Sequence, residues 1–359
     1  MSAEVVWHGP LHGLSGYAQD AREFVLGLDA LGVHVRAEDS PLGPQASPLE
    51  PAVELRLREL AELPVGAEAV RVEHGLASRW TRAARIGRTA FATDLIPAAW
   101  VAACNAVAEV WVPSRFNLET FAAAGVERER LRVVPSPIRL AQWAGEDHLE
   151  LPAGRFNFLS VFDWSLRKGW DILVRAYCAE FAGHDDVNLV LKVNAAYGQT
   201  PDALRQSISA LGGTAAPPIT ILDRVLPPAE MPRLYRAADC FVLPARAAGW
   251  GRPFLEAMAA GVPVIGTAWG GQTEFMNEDN SYLIEVKGLV RVPEAGVQEA
   301  PAYRGHRWAE PSVEHLQELM CRAYEQPAEG AAKASRAREV LKAHETESVC
   351  SRLFLRLAA

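Results

Sequence analysis

Apolar side chains follow two alternating rhythms along this chain. Short continuous runs at 4–7, 33–36, 70–73, 88–92, 110–112 and 131–134, then at 156–162, 187–193, 219–222, 240–243, 262–265 and 282–284, read as strands. Between them, apolar residues recur every three or four positions, as at Phe24, Val25, Leu28 and Leu31, or Ile172, Leu173, Ala176 and Tyr177, the period of a helix with one buried face. Ser15-Gly16 opens the first such helix and Gly32 closes it, so strand, glycine turn, helix and strand follow in order. That βαβ unit implies a parallel sheet, and continuous apolar runs fit strands covered on both faces. The alternation continues through both halves. It predicts an α/β fold of two doubly wound Rossmann-like domains, 1–150 and 151–342, with a last helix at 343–359. Residues 139–155 read as the linker and 40–52 as a proline-bearing loop, while the Pro- and Gly-bearing stretch 286–311 reads as an excursion.

A length of 359 residues accommodates two domains. The net charge of −8 argues against a general affinity for nucleic acid or an anionic membrane. No run is long and apolar enough for a transmembrane segment, and MSAEVVWHG has no leader character. Five scattered cysteines, none paired at metal-ligand spacing, point to reduced thiols and a cytoplasmic location.

The stretch 244–275, PARAAGWGRPFLEAMAAGVPVIGTAWGGQTEF, holds the densest chemistry. Gly249 and Gly251 allow a tight backbone before a helix expected to start at Pro253. Glu256 falls in its first turn by this reading, near the positive end of the helix dipole and beside N–H groups suited to an anion. Gly270 and Gly271 make a second glycine loop. Upstream, Arg167 and Lys168 stand together before a helix start, where the dipole disfavours cations; a bound anion explains them, and so does a solvated basic turn. Gly16 leaves bare backbone open to a ligand or to tight packing, since the triple-glycine dinucleotide fingerprint is missing. His74 and Asp94 lie at the C-terminal ends of strands, the face where open α/β sheets bind ligands, although lone histidines often serve structure. Trp164, Trp250, Trp269 and Trp308 suit either a sugar wall or packing.

Four segments together carry a resemblance: SGYAQDAR; TAFATDLIPAAWVAACNAVAEVWVPSRFNLETFAAAGV; SVFDWSLRKGWDIL; and GWGRPFLEAMAAGVPVIGTAWGG. The chain resembles the family 4 retaining glycosyltransferases (glycosyl transferases group 1) over nearly its whole length. The resemblance implies a GT-B fold, two domains facing across a cleft with the acceptor on the first and a nucleotide-sugar donor on the second. It implies that Arg167 and Lys168 pair with the diphosphate and that Glu256 takes the ribose hydroxyls. Gly249, Trp250, Gly251, Gly270 and Gly271 would border the donor, Gly16 would lie under the diphosphate, and His74, Thr93 and Asp94 would face the reacting sugar or the acceptor. It also implies sugar transfer with retention, no metal site, no cofactor beyond the nucleotide-diphosphate sugar taken as substrate, and a final helix returning to the first domain.

The departures are specific. The family signature has two glutamates separated by seven residues; Glu256 is the second, and Ala248 stands where the first belongs. Ala92 replaces an acid before Thr93-Asp94, Phe162 replaces an arginine upstream of Lys168, and Arg139 replaces a turn aspartate. Alanine offers no hydrogen bond to a sugar hydroxyl. An active transferase therefore stands beside a catalytically silent protein that binds a nucleotide sugar or a partner transferase. A nucleotide-sugar epimerase is a more distant third reading. Nucleotide base, sugar and acceptor are not encoded in these motifs.

Overall fold

The structure, a computed structural model, describes residues 4–43, 49–81, 83–194, 200–212 and 216–357. Residues 1–3 of the N-terminal stretch and 44–48 of the proline-bearing loop lie outside the described residues. The chain divides into two compact units: Met1–Phe91, Leu95–Ala141 and Lys342–Ala359 form the first, and Ala92–Asp94 with Gln142–Leu341 form the second.

In the first unit, β1 (Glu4–Gly9), α1 (Gly16–Ala30), β2 (His34–Asp39), α2 (Pro51–Ala61), β3 (Val70–His74), β4 (Ile86–Arg88), α3 (Ala98–Asn105), β5 (Glu109–Val112), α4 (Arg115–Ala123) and β6 (Leu131–Val133) follow in order. The strands make a six-stranded sheet in the order β2-β1-β3-β4-β5-β6, every pair parallel. Ser15 caps α1 by accepting the Ala18 N–H, which satisfies one of the open donors at a helix start. Trp7 on β1 stacks on Phe24 of α1 with ring centroids 5.2 Å apart, and Trp111 lies 6.4 Å from Trp7, filling the space between sheet and helix.

The second unit runs β7 (Phe156–Asp163), α5 (Trp170–Glu180), β8 (Val187–Asn194), α6 (Pro201–Gly212), β9 (Ile219–Leu222), α7 (Glu230–Arg236), β10 (Cys240–Leu243), α8 (Arg252–Ala259), β11 (Val264–Thr267) and β12 (Tyr282–Ile284). Its parallel sheet has the order β12-β11-β10-β7-β8-β9. This is the doubly wound order in which the chain starts in the middle and winds out both ways, so neighbouring β7 and β10 send their connections to opposite faces. The stretch 286–311 has structure of its own. β13 (Val286–Arg291), α9 (Glu294–Glu299) and β14 (Arg307–Pro311) form a hairpin whose strands pair antiparallel, with Trp308, 1% exposed, at its core. α10 (Val313–Glu325) and α11 (Pro327–Leu341) complete the unit.

The boundary between units falls before Gln142 rather than at 150. Trp143 packs edge-on against Tyr235 of α7 at 5.4 Å, and Arg236 donates to the Trp143 and Ala144 carbonyls at 3.2 and 3.3 Å. Those contacts bind most of the expected linker into the second unit. The last helix, α12 (Thr346–Leu357), packs on α1, with Thr346 Oγ1 donating to Glu23 at 2.8 Å and Val349, Cys350 and Leu353 entering the first unit's core. Among the described residues no helix is long and apolar enough to cross a membrane.

Candidate functional site

In a doubly wound sheet the crevice for a ligand opens beyond the C-terminal ends of the two strands where the winding reverses. In the second unit those strands are β7 and β10. β7 ends at Asp163 and leads into a 3-10 turn, Leu166–Lys168, before α5; β10 ends at Leu243 and leads through 244–251 into α8. The two loops are fitted to each other. Gly169 has φ of 68°, and a Cβ there would sit 2.0 Å from the Pro244 carbonyl oxygen, so the position requires glycine. Arg246 N–H donates to Arg167 O at 2.8 Å, and Arg167 Nη1 donates to Ala247 O at 2.8 Å.

Lys168 is partly buried, and its ammonium is pushed down to about 8. Burial is the main cause; Arg167 adds to it, while Asp163 and Glu256 pull the other way. A cation held where desolvation works against it is a mark of a functional site, and an arriving anion would stabilise its charged form.

The helix α8 begins one residue earlier than the sequence suggests, with Gly251 as N-cap in the left-handed region, Arg252 first and Pro253 second. Glu256 is therefore the fifth helical residue, beyond the first turn of about 3.6 residues. Its carboxylate, 5% exposed, is held by side chains: Tyr235 Oη donates at 2.9 Å and Arg252 Nε lies 3.3 Å away. Burial raises its pKa, while Arg252, Tyr235 and Lys168 oppose the shift.

The two glycine loops meet. Gly271 N–H donates to Ala248 O at 2.8 Å, and a Cβ on Gly271 would lie 2.0 Å from Gly249 O. Gly270, with φ of 114°, accepts from Thr273 Oγ1 at 2.8 Å. Trp250 is buried edge-on against Phe275 at 4.9 Å, Trp164 meets Trp170 at 5.9 Å, and Trp308 is interior; Trp164, Trp250 and Trp308 serve packing, whereas Trp269 stays partly exposed. Ala248 is buried at 5% exposure, and Ala247 joins Ala92, Val292, Val297 and Trp308 in an apolar cluster.

Thus Arg167, Lys168, Gly249, Trp250, Gly251, Glu256, Gly270 and Gly271 gather in the second unit. Asp94 also groups there, but both of its carboxylate oxygens are taken by Arg307, the backbone N–H at 2.7 Å and Nε at 2.9 Å. Thr93 Oγ1 lies 2.8 Å from His306 Nδ1. In the first unit, Gly16 is the first residue of α1, and a Cβ there meets nothing within 4 Å. His74 ends β3 deep in the core, Nε2 3.3 Å from Asp20, with Trp7, Tyr17 and Phe24 edge-on around it. Burial lowers its pKa and favours the neutral ring.

Sequence reading missed several groups. Lys192, buried near the end of β8, donates to Asn194 Oδ1 at 2.8 Å, and Asn194 Nδ2 lies 3.4 Å from Asp163. A lysine inside the apolar run VNLVLKVN was the available signal. Arg246, Glu299 and Glu310, which brace the cationic turn, come together only through folding and carry no local pattern. Among the described residues no group of three or more His, Cys, Asp or Glu could hold a metal ion.

Residues 154–294 match the family model "Glycosyl transferases group 1". The D-inositol 3-phosphate glycosyltransferase of Acidothermus cellulolyticus is 28% identical over 195 residues, 51% of this chain and 42% of that protein. The enzyme of the same name from an Arthrobacter species is 32% identical over 168 residues, 44% of this chain and 38% of that protein. The chain thus spans less than half the length of these curated relatives. Among solved structures, Anabaena HepE in complex with UDP and glucose is similar with a TM-score of 0.70 at 15% identity, covering 99% of both chains. Sucrose-phosphate synthase from Thermosynechococcus elongatus has a TM-score of 0.65 at 17% identity, again over 99% of both chains. Residues 154–294, with the cationic turn, both glycine loops and Glu256, therefore form a domain of the glycosyl transferases group 1 type in a chain with the two-sheet fold of GT-B glycosyltransferases.

Proposed function

We propose that this protein is a retaining glycosyltransferase that takes a nucleotide sugar on its second unit and passes the sugar to an acceptor without a metal. The observation that carries the reading is the Arg167-Lys168 turn at the point where the second sheet reverses its winding, with the buried Glu256 in electrostatic reach of Lys168. A nucleoside diphosphate matches those groups: its phosphates pair with the Lys168 ammonium and offset its burial, and its ribose hydroxyls donate to the Glu256 carboxylate. When the glycosidic bond breaks, negative charge grows on the diphosphate, and fixed cations there stabilise the leaving group.

HepE is a UDP complex, so UDP-sugars come first in a donor panel; the relatives' name puts D-inositol 3-phosphate among the acceptors to try. Calorimetric titration with the panel, followed by measurement of nucleoside diphosphate release with acceptor present, tests the reading. Donor binding without release under any pairing would instead favour the silent, binding-only protein. The alanines at 248 and 92 keep that second reading in play, because neither offers a carboxylate to the sugar. Ala248→Glu would then be the variant to assay for a gain of turnover.

A further inference from the structure

The hairpin between β12 and α10 grips one residue from three sides, and that residue is Leu166, the first of the cationic turn. Both oxygens of Glu299, at the end of α9, accept the Leu166 N–H at 3.0 Å. The Leu166 carbonyl accepts from Arg246 Nη1 at 2.8 Å. Arg246 is itself fixed on the hairpin: Glu310 of β14 accepts from its Nε at 3.0 Å and Nη2 at 3.2 Å, and Arg246 O accepts the Ala309 N–H at 3.0 Å. Asp171 in the first turn of α5 takes the remaining face of the guanidinium at 2.7 and 2.8 Å. The Leu166 side chain packs against the apolar cluster formed by Ala92, Ala247 and the hairpin's Val292, Val297 and Trp308.

A 3-10 turn opens with N–H groups that have no partner within the turn, and a short turn bearing two adjacent cations is poorly held by its own chain. Here the hairpin supplies the missing acceptor at the amide, fixes Arg246 as the donor at the carbonyl and provides much of the apolar seat for the side chain. Resting on the donor-site reading above, we propose that the 286–311 hairpin is a positioning element for a nucleoside diphosphate, with Glu299 the positioning residue that sets where Arg167 and Lys168 present their charges. Glu299 touches no reacting atom in this scheme; it acts through Leu166. Its surroundings fit the role. Half-burial pushes its pKa up, the Leu166 N–H, Arg167 and Arg246 hold it back down, and Asp171 pushes it up again.

The test uses the full chain and five probes: uridine, guanosine, thymidine, adenosine and cytidine diphosphates, titrated calorimetrically into wild type, Glu299→Ala, Glu299→Gln and Lys168→Ala. Hydrogen exchange of the amides over 160–170 is followed in parallel. The expected result has three parts. Glu299→Ala weakens binding of the preferred diphosphate at least tenfold and speeds exchange over 165–169. Glu299→Gln, whose amide oxygen still accepts from Leu166, recovers most of both. Lys168→Ala weakens binding with exchange over the turn unchanged. Should Glu299→Ala fail to fold, Glu310→Gln, which loosens Arg246 without touching Leu166 N–H, is expected to give the same pattern more weakly. Wild-type affinity in both Glu299 variants, or in Glu299→Gln and Glu310→Gln where the alanine does not fold, overturns this proposal and leaves the donor site standing. Failure of the wild type to bind any of the five overturns both.

Discussion

The two units solve the same topological problem with opposite chemistry. Each sheet has a point where its winding reverses, between β1 and β3 in the first and between β7 and β10 in the second. In the first unit the end of β3 carries His74, and its neighbourhood is closed: Asp20 faces both His74 and Arg88, and rings pack around them. Arg88, 1% exposed, also donates to Val134 O and Ser136 Oγ at 2.8 and 2.9 Å, and its guanidinium lies 4.3 Å from the Phe24 ring centroid. In the second unit, Lys168 stands in the loop after β7 with its pKa depressed. Topology says where a crevice lies; whether its charges are internally matched or held at a cost says what it is for.

The comparison can be broken most sharply at glycine. Gly169→Ala places a methyl 2.0 Å from Pro244 O on a left-handed backbone. It should cost about 4 kcal/mol or abolish folding, read by chemical denaturation. Next, Arg88→Ala leaves Asp20 buried beside a neutral histidine and should destabilise by about 3 kcal/mol while leaving diphosphate affinity as it was. A large affinity loss in that variant would mean that the first crevice is not merely packed. Lys168→Ala is the mirror case. Diphosphate binding should fall about 30-fold, roughly 2 kcal/mol, with the melting temperature held or raised because a desolvated charge is gone.

The pH dependence of binding sharpens the same point. Lys168 is depressed to about 8, so below that pH the free protein carries the charge that the phosphates need, and above it the charge is lost. Affinity should be level from about 7, above the second ionisation of the phosphate near 6, to about 8, and then weaken with rising pH, approaching about tenfold per unit, with the slope absent in Lys168→Ala. The folding term has the opposite sense. Between about 8 and the ordinary lysine value the unfolded chain binds the extra proton, so stability rises with pH through that window. The smallest effect belongs to Gly16→Ala. Nothing lies within 4 Å of the added methyl, and alanine favours helix, so stability should change by about 0.5 kcal/mol or less. Chemical denaturation of the variant against wild type reads that change.

The sheets were legible in the sequence because parallel strands buried on both faces leave continuous apolar runs; 240–243 and 282–284 match to the residue. Edges were less so. The run at 88–92 ends at Arg88, whose side chain turns into the core to meet Asp20. The strand expected from Val262 starts at Val264, because Gly261 at φ 78° turns the chain after α8 and Pro263 has no N–H to give to the sheet. The hairpin gave no apolar alternation because β13 is largely exposed, and its hold on Leu166 joins residues more than 130 positions apart. Glu256 was found by its motif, but its partner Tyr235 was not, since a tyrosine on another helix has no spacing to betray it.

The placement of α12 has a consequence for biosynthesis. The first unit's core takes Val349, Cys350 and Leu353 from the far end of the chain. A nascent chain that has emerged only as far as Leu341 therefore holds every part of the second unit, while the earlier-made first unit still has an apolar gap against α1. The usual order, in which the N-terminal domain folds first as it leaves the ribosome, is inverted at the last step. Until residues 346–357 are made, the exposed face of α1 is the surface a chaperone would find.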